Sequence, residues 1–365
     1  VDTVFTKYNE LIFETNKANF NGDIGAADIS NDINYVLIGN YDDVLLQHEG
    51  AIYLYKYDDL EYIELWSLLV PINILTLDSG NFTYLRGIGY KCKLSGDATH
   101  IITHNQVDNI LVIFKSTDDW SNTTGNFSFG NYNSRSYNGY KIDLTFKPEN
   151  FEISDNGEQI VVSGKIDEAN VLGVTETNYY LEIYSYSSTE NDYVKETVYS
   201  NNDELTSISV KNYRLEFASD IGLSGDGNTL ICISPTYIDI FIKINNNWTT
   251  NDKLSFIKDR PRYEDSKHNI SVNNNGSHFM YNSINKNSRT VLNHYVMRNN
   301  SYIKNNEYEI VNSDFSNESS ETHKDLHNNV TDFDLSSNLI IYPEPEPEPE
   351  SEPEAEPEAE AEPEP

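Results

Sequence analysis

Two pairs of histidines have a spacing that could bind a metal ion. His100 and His104 lie four residues apart, which would bring two ligands together on a helix. Their run, HIITH, reads as a strand, in which the two side chains stand roughly 13 Å apart. His323 and His327 share the spacing but lie in the polar stretch 312–329, which favours a solvated loop. We therefore predict no metal ligand and no cofactor.

Adjacent acidic residues could in principle form an acid/base pair. The pairs are Asp42-Asp43, Asp58-Asp59 and Asp118-Asp119. All three fall where turns are expected, and Asp is favoured there for its turn geometry. Acid/base catalysis needs a cleft and two different environments, and adjacency alone supplies neither. The chain also has no nucleophile elbow, P-loop or dinucleotide fingerprint, so we predict no catalytic residue and no enzyme.

A long insert rich in aromatic and amide side chains is the best candidate for a recognition surface. It reads WSNTTGNFSFGNYNSRSYNGY, residues 120–140. Aromatic faces combined with Asn, Ser and Gly are typical of adaptable binding loops and of sugar stacking. The candidate ligand-binding residues are Trp120, Phe127, Phe129, Tyr132, Tyr137 and Tyr140. The alternative is a disordered polar loop that binds nothing.

The charge of the chain excludes two classes of partner. The formal net charge is -34 at pH 7, and nucleic acid or anionic lipid would be repelled because binding either needs clustered Lys and Arg. Eleven of the negative charges lie in the last 23 residues, so residues 1–342 still carry -23. The longest apolar stretch, 65–77, is interrupted by polar residues and proline. We expect neither nucleic acid binding nor membrane insertion.

A turn of the form Ser-x-Asp/Asn-Gly recurs six times between alternating apolar runs. Its copies are AADISNDINYVLIG, KCKLSGDATHIITH, FEISDNGEQIVVSG, IGLSGDGNTLICIS, SVNNNGSHFMYNS and DFDLSSNLIIY, the last with a shortened turn. Asp, Asn and Gly tolerate the positive φ of tight turns, and the polar side chains can bond backbone amides nearby. Each copy therefore predicts a β-hairpin.

Two further runs follow each of the first five hairpins. The third run is rich in β-branched and aromatic residues, as in YIDIFIKI, and the fourth is often led by an aromatic residue, as in YVKETVY or the stretch starting at Trp120. The sixth turn has no such runs after it, whereas 4–14 supplies two unassigned ones at the N-terminus. This pattern predicts an all-β fold, a six-bladed β-propeller of four-stranded antiparallel blades, closed by pairing of the N- and C-terminal strands.

The repeats divide the chain into a propeller, 1–342, and a tail, 343–365. The predicted blades span about 21–70, 85–130, 147–200, 215–256 and 266–312, with the sixth built from 329–342 and 1–16. Cys92 and Cys232 then fall in blades that are not neighbours, so no disulfide is expected. The Pro/Glu low-complexity acidic tail predicts extended polyproline II, either a stiff spacer or an end without a role.

The stretch LSGDGNTL…IDIFIKINNNWTTNDKL, within 221–254, resembles the FG-GAP-like repeat of integrin α-type propellers. GYKCKLSGD, from Gly89, resembles the glycine-led first strand of the same repeat. The resemblance implies contact with protein or glycan through loops at one face of a propeller. Propellers of this type often bind calcium through several carboxylates in one loop, but each turn here offers at most one, so calcium sites are not carried over.

Together these observations predict a non-catalytic interaction or display module that binds a protein or a glycan through propeller loops. The alternative is a glycoside-active propeller enzyme that uses carboxylates around the mouth of the central channel. At least two convergent ionisable side chains in the channel would keep that alternative open. We expect a monomer, and the compartment stays open, with an extracellular or surface-displayed location as one expectation.

Overall fold

A computed structural model of the chain describes twelve stretches of it. They are 24–40, 48–58, 61–71, 87–105, 109–116, 120, 137–169, 175–200, 218–234, 237–255, 270–284 and 290–309. Within them lie twenty β-strands in five four-stranded antiparallel sheets, each of which is a blade.

The blades follow one another along the chain. Blade 1 contains β1 (Ile24–Ile29), β2 (Tyr35–Asn40), β3 (His48–Asp58) and β4 (Glu61–Pro71). Blade 2 contains β5 (Cys92–Leu94), β6 (His100–Asn105), β7 (Ile110–Ser116) and β8 (Tyr137–Asp143). Blade 3 contains β9 (Lys147–Ile153), β10 (Gln159–Ala169), β11 (Thr175–Ser187) and β12 (Asp192–Ser200). Blade 4 contains β13 (Asp220–Leu223), β14 (Thr229–Ile233), β15 (Tyr237–Ile244) and β16 (Asn247–Ser255). Blade 5 contains β17 (Ile270–Val272), β18 (His278–Ile284), β19 (Thr290–Arg298) and β20 (Ser301–Glu309).

The first strands of the blades lie side by side around a common axis. β1 contacts β5, β5 contacts β9, β9 contacts β13 and β13 contacts β17. Strands two to four of each blade follow outward in sequence order, each antiparallel to the one before it. All-β, four-stranded antiparallel blades around an axis form a β-propeller, and this part of the sequence-based prediction is confirmed.

Among the described residues the core lies in layers between neighbouring blades. Alternate residues of a strand point to opposite faces. In β14, Ile231 packs toward blade 5 while Leu230 and Cys232 pack toward blade 3. The layer between blades 2 and 3 includes Phe146 stacked on Tyr180 at a ring separation of 5.5 Å.

A β-bulge recurs between the third and fourth strands. The register shifts after Leu54, Ile183, Ile240 and His294, which occupy the same place in blades 1, 3, 4 and 5. A bulge bends the strand and increases its twist, as the outer edge of a blade requires. The β7–β8 pair of blade 2 has an unbroken register. Its fourth strand also begins at Tyr137, later than the predicted run starting at Trp120.

The predicted count of six blades is wrong, because the described residues form five. A serine turn marks a hairpin, not a whole blade. Each of the first five turns is followed by a third and a fourth strand, whereas the shortened sixth copy is followed in the sequence by the Pro/Glu tail. The sixth blade was assigned to two segments, 1–16 and 329–342. These segments lie outside the described residues, and so does any pairing between them. The tail 343–365 also lies outside the described residues.

Both cysteines are buried free thiols in separate blades, Cys92 in β5 and Cys232 in β14. Burial raises the pKa of each thiol far above its usual value, which keeps both protonated. Across the described stretches there is no helix with the length and apolar character needed to cross a membrane.

Candidate functional site

The aromatic insert of blade 2 is described only at its two ends. Trp120 is 1% exposed, donates its indole N–H to the carbonyl of Ala98 at 2.7 Å, and is therefore a core residue. Tyr140 lies in β8, is 9% exposed, and packs edge-on against Tyr186 and Tyr193. Tyr137 begins β8. The other candidates, Phe127, Phe129 and Tyr132, lie outside the described residues, so a binding role for the insert stays a prediction.

The histidines of HIITH lie in β6 and are both 3% exposed. Burial lowers the pKa of each ring to about 4, with Lys115 adding to the effect at His100 and Lys91 at His104. His323 and His327 lie outside the described residues, as do the acidic pairs except Asp58. The described residues contain no group of three His, Cys, Asp or Glu side chains that could hold a metal ion.

The feature that organises one end of the propeller is the serine turn of each blade. Its first residue accepts the backbone N–H of the residue five positions later at 2.8–3.0 Å, as at Ser224 and Thr229. Its third residue, such as Asp226, accepts the backbone N–H two positions further on at 2.9–3.0 Å. In blade 5, Asn273 performs the role of the serine. These local bonds make each hairpin turn rigid.

Backbone hydrogen bonds also join each serine turn to the next one. Asn31 donates to the Gly96 carbonyl at 3.0 Å, and Asp97 donates to Asp155 at 2.9 Å. Asp155 in turn donates to Gly225 at 2.8 Å. A fourth bond of 2.8 Å runs from Asp226 to Asn274, so the five turns form a connected arc around the axis.

This arc surrounds one end of a central channel, which we call the channel mouth. Two tiers of residues line it, each with one member from every blade. The turn tier is the residue after each turn serine: Asn31, Gly96, Asp155, Gly225 and Asn274. The strand tier is the residue two positions before it: Asp28, Lys93, Glu152, Gly222 and Ser271. The enclosed cavity has a volume of about 70 Å³ and is partly open to solvent.

The charged side chains of the strand tier lean from one blade toward the next. Asp28 accepts the backbone N–H of Leu94 at 2.6 Å, which ties blade 1 to blade 2. Lys93 pairs with Glu152 at 3.1 Å, which ties blade 2 to blade 3. Both partners of this ion pair are partly exposed, so solvent screens the interaction and it adds little to stability. Its main consequence is to fix where the charges stand.

Two glycines make room for the one carboxylate of the turn tier. The Asp155 carboxyl group lies so close to Gly96 and Gly225 that a Cβ atom on either glycine would overlap it. The Asn31 amide approaches the same Cβ position at Gly96 equally closely. Glycine in these two places therefore allows the polar side chains of blades 1 and 3 to lie across the channel mouth.

An inner tier follows two residues before the strand tier. Lys91 donates to Asn150 Oδ1 at 2.7 Å, and Asn150 donates to the Ser219 carbonyl at 2.5 Å, which links blades 2, 3 and 4. Asp220 is the member from blade 4 and is 8% exposed. Its Oδ1 accepts the N–H of Ile221 at 3.0 Å, but its Oδ2 has no hydrogen-bond partner among the residues that the structure describes.

The Asp220 carboxyl group has a strongly perturbed pKa. Burial raises its pKa well above the usual value and the neighbouring Glu152 raises it further, against the opposing effect of Lys93 and Lys91. The channel thus contains convergent ionisable side chains. The alternative of a glycoside-active enzyme therefore stays open.

Sequence reasoning missed the channel mouth although a signal for it was present. The strand-tier residues all lie two positions before the turn serine, and alternation places them on one face of the first strand. Aligning the copies at the serine would have collected Asp28, Lys93 and Glu152 into one set. Their convergence also requires a ring of blades, and only the tertiary structure supplies that.

Comparison with known proteins gives similarity of fold alone. No protein-family model matches the chain, and no curated protein matches it. The β-propeller domain of Myceliophteria thermophila Cps50 (Swd1) aligns at 8% identity and a TM-score of 0.47, covering 79% of this chain and 72% of that one. Kluyveromyces lactis Hsv2 aligns at 10% identity and a TM-score of 0.47, covering 80% and 75%. The Pseudomonas aeruginosa periplasmic gluconolactonase PpgL aligns at 9% identity and 0.39, covering 78% and 85%. The assignment of this chain as a β-propeller rests on its five blades around one channel.

Proposed function

We propose that this chain is a non-catalytic interaction module that binds a protein or a glycan at the end of the propeller bearing the channel mouth. The observation that carries the proposal is the channel mouth itself: polar side chains from blades 1, 2, 3 and 5 on a rigid arc of turns. Polar groups held in place before binding lose little entropy when a partner arrives. The resemblance of the repeats to FG-GAP-like propellers agrees with contact through loops at one face.

The aromatic insert leaves the propeller at this same end. Antiparallel strands alternate in direction, so the link between strands three and four returns to the end where the serine turn lies. In blade 2 this link is the insert between β7 and β8, and Trp120 at its start packs under the serine turn through Ala98. The two ends of the insert, next to Ser116 and Tyr137, therefore lie at the end of the propeller that bears the channel mouth.

A glycan array and a pull-down from the native source test the proposal. The informative variant is Asn31→Ala/Asn274→Ala, which removes two amide side chains of the turn tier without changing the charge. Its matched control is Asn251→Ala, an exposed amide on the outermost strand of blade 4. We expect wild type and control to retain a specific partner and the double variant to lose it. Equal retention by all three would contradict the channel mouth as the binding site.

The glycoside-active enzyme remains the second candidate, and one observation favours it. Glu152 and Asp220 are carboxyl groups of one channel in different environments, the first paired with Lys93 and the second buried with a pKa raised by that burial. Carboxyl groups whose pKa values are driven apart are the usual acid and base of sugar hydrolysis. Turnover in a glycosidase screen that is abolished by Asp220→Asn, with no partner captured, would replace the binding role by this one.

A further inference from the structure

The fourth residue of the serine turn is buried in blades 2 to 5 and exposed in blade 1. The buried residues are Ala98, Gly157, Gly227 and Gly276. In blades 3 to 5 a side chain of the preceding blade lies directly over this position, as His100 does over Gly157. Blade 1 has Ile33 at the equivalent position, and 59% of that residue is exposed. Among the described blades, blade 1 therefore presents to solvent a position that the other four bury.

The backbone of Ile33 is strained. Its φ is 63°, in the left-handed region, where a β-branched side chain is an outlier. The equivalent residues of blades 2 to 5 are alanine or glycine, which this backbone accommodates more easily. Burial does not offset the strain, because most of the residue is exposed. Strain of this kind is concentrated at functional sites, so a contact made only with a partner would account for this isoleucine.

Tyr57 extends the exposed surface next to Ile33. Its N–H donates to the carbonyl of Asn34, the residue that follows Ile33, at 2.7 Å, and Tyr57 is 37% exposed. Single exposed apolar residues need no explanation, whereas here two adjoin and one of them is strained. We call Ile33 and Tyr57 the blade 1 anchor. Asn31 of the channel mouth lies two residues before Ile33, so the anchor is continuous with the binding surface proposed above.

The charges around the anchor indicate what kind of partner fits. Asp32 and Lys56 adjoin the anchor in the sequence, both are exposed, and their charges offset each other. The local contact is therefore mainly apolar, and Ile33 suits an apolar side chain of a protein better than the hydroxyl groups of a sugar. The whole chain carries a net charge of -34, whose field attracts a partner of positive charge and repels one of negative charge.

We propose, resting on the interaction role above, that the blade 1 anchor receives an apolar side chain of a partner protein with a net positive charge. The contact removes apolar surface of Ile33 and Tyr57 from water, which favours association. The field of the chain increases the rate at which such a partner arrives. Ile33 then strengthens binding while it lowers stability, a combination that a purely structural residue does not have.

Selection from a display library of random peptides on the whole wild-type chain tests the inference. We expect the enriched peptides to combine aliphatic or aromatic residues with lysine or arginine, and their binding to weaken as the salt concentration rises. A synthetic copy of one enriched peptide then serves as the probe for the variants. Ile33→Gly should weaken its binding about tenfold while raising the Tm of the protein. Tyr57→Ser should weaken its binding to a similar extent.

Ile244→Gly is the matched control, because it makes the same substitution at an isoleucine of blade 4 that is 54% exposed. Glycine within a strand is unfavourable, so this variant should lower the Tm and leave the affinity for the peptide unchanged. Opposite changes of Tm and affinity in the two variants separate a lost contact from a lost fold.

Four results would overturn the inference. Three concern the peptides: no enrichment above the level found on an unrelated protein, enriched peptides without basic residues, and a probe peptide that binds Ile33→Gly as well as wild type. The fourth concerns the chain alone in sedimentation. A dimer that Ile33→Gly dissociates would identify a second copy of this chain, and not a basic protein, as the occupant of the anchor.

This inference and the proposed function fail in distinguishable ways. A partner that is lost from the Asn31→Ala/Asn274→Ala variant but retained by Ile33→Gly would leave the interaction module in place and exclude the anchor. Peptides that require Ile33 but bind the Asn31→Ala/Asn274→Ala variant as tightly as wild type would support the anchor and exclude the channel mouth as the binding site.

Discussion

The imidazole ring of His100 lies directly over Gly157 of the next blade and leaves no room there for a Cβ atom. Gly157 is the fourth residue of its serine turn and has a φ of 72°. The same contact recurs around the axis, with Gln159 over Gly227 and Thr229 over Gly276. Neighbouring blades therefore interlock at their serine turns through one side chain and one glycine.

Replacing Gly157 by alanine should destabilise the propeller by about 2–4 kcal/mol, because the left-handed backbone and the overlap with His100 both oppose a side chain. Denaturant unfolding measures the change in free energy. Gly139→Ala, at an exposed glycine of β8, is the control and should change it little. If the overlap with His100 matters, Gly157→Ala should lose less unfolding free energy in a His100→Ala background than in the wild type. Equal losses in the two backgrounds would contradict the interlock.

Ile33 occupies the position that glycine holds in three other serine turns. It has a φ of 63° and is 59% exposed, so a β-branched side chain is strained there without being buried in return. We expect Ile33→Gly to stabilise the protein by about 1 kcal/mol. Thermal unfolding gives the comparison, with Ile244→Gly, at an exposed isoleucine in β15, as the control that should lose stability. A loss at both positions would show that the turn is not strained.

Trp120 should act on stability, since its indole N–H satisfies the buried carbonyl of Ala98. Trp120→Phe removes that donor and should cost about 1–3 kcal/mol in chemical unfolding. The matched control is Trp248→Phe, whose indole N–H donates to Glu196 at 3.2 Å on an exposed surface and should cost less than about 1 kcal/mol. Equal effects of the two substitutions would mean that the buried bond has no special weight.

His100 and His104 should make the fold sensitive to mild acid. Burial depresses the pKa of both rings from 6.5 to about 4, so the unfolded chain binds more protons than the folded one between these values. Stability therefore falls as the pH drops through this window, by up to about 3 kcal/mol for each ring. The measurement is the free energy of unfolding at pH 7 and at pH 4.5.

The variant His104→Leu separates this effect from other titrations. Its Nε2 makes no hydrogen bond within the described part of the chain, so leucine removes the titration with little loss of bonding. The difference in stability between the two pH values should shrink. Thr103→Val, a buried non-titrating neighbour in β6, should lower stability equally at both. An unchanged pH difference in His104→Leu would rule out this histidine as a cause.

The repeat in the sequence identifies which residues are equivalent between blades, but it does not show that they meet at the channel mouth. The residues two positions before each turn serine are visible as a set in the sequence, yet Asp28 and Glu152 lie 124 positions apart and nothing local brings them together. The aromatic insert was the more conspicuous feature by composition. Composition, however, does not distinguish an exposed aromatic ring from one such as Trp120 that fills the space beneath a turn.

By itself, the sequence determined the serine turns, the antiparallel hairpins and the four-stranded character of the blades. Their causes are local, because a serine such as Ser224 and the amide it accepts from Thr229 are only five residues apart. Only the tertiary structure decided the number of blades, the burial of Trp120 and the convergence of Asp28, Glu152 and Asp220 on one axis. Those depend on packing between blades, where the contacting residues are far apart in the chain. No short sequence motif indicates which faces of neighbouring blades contact each other.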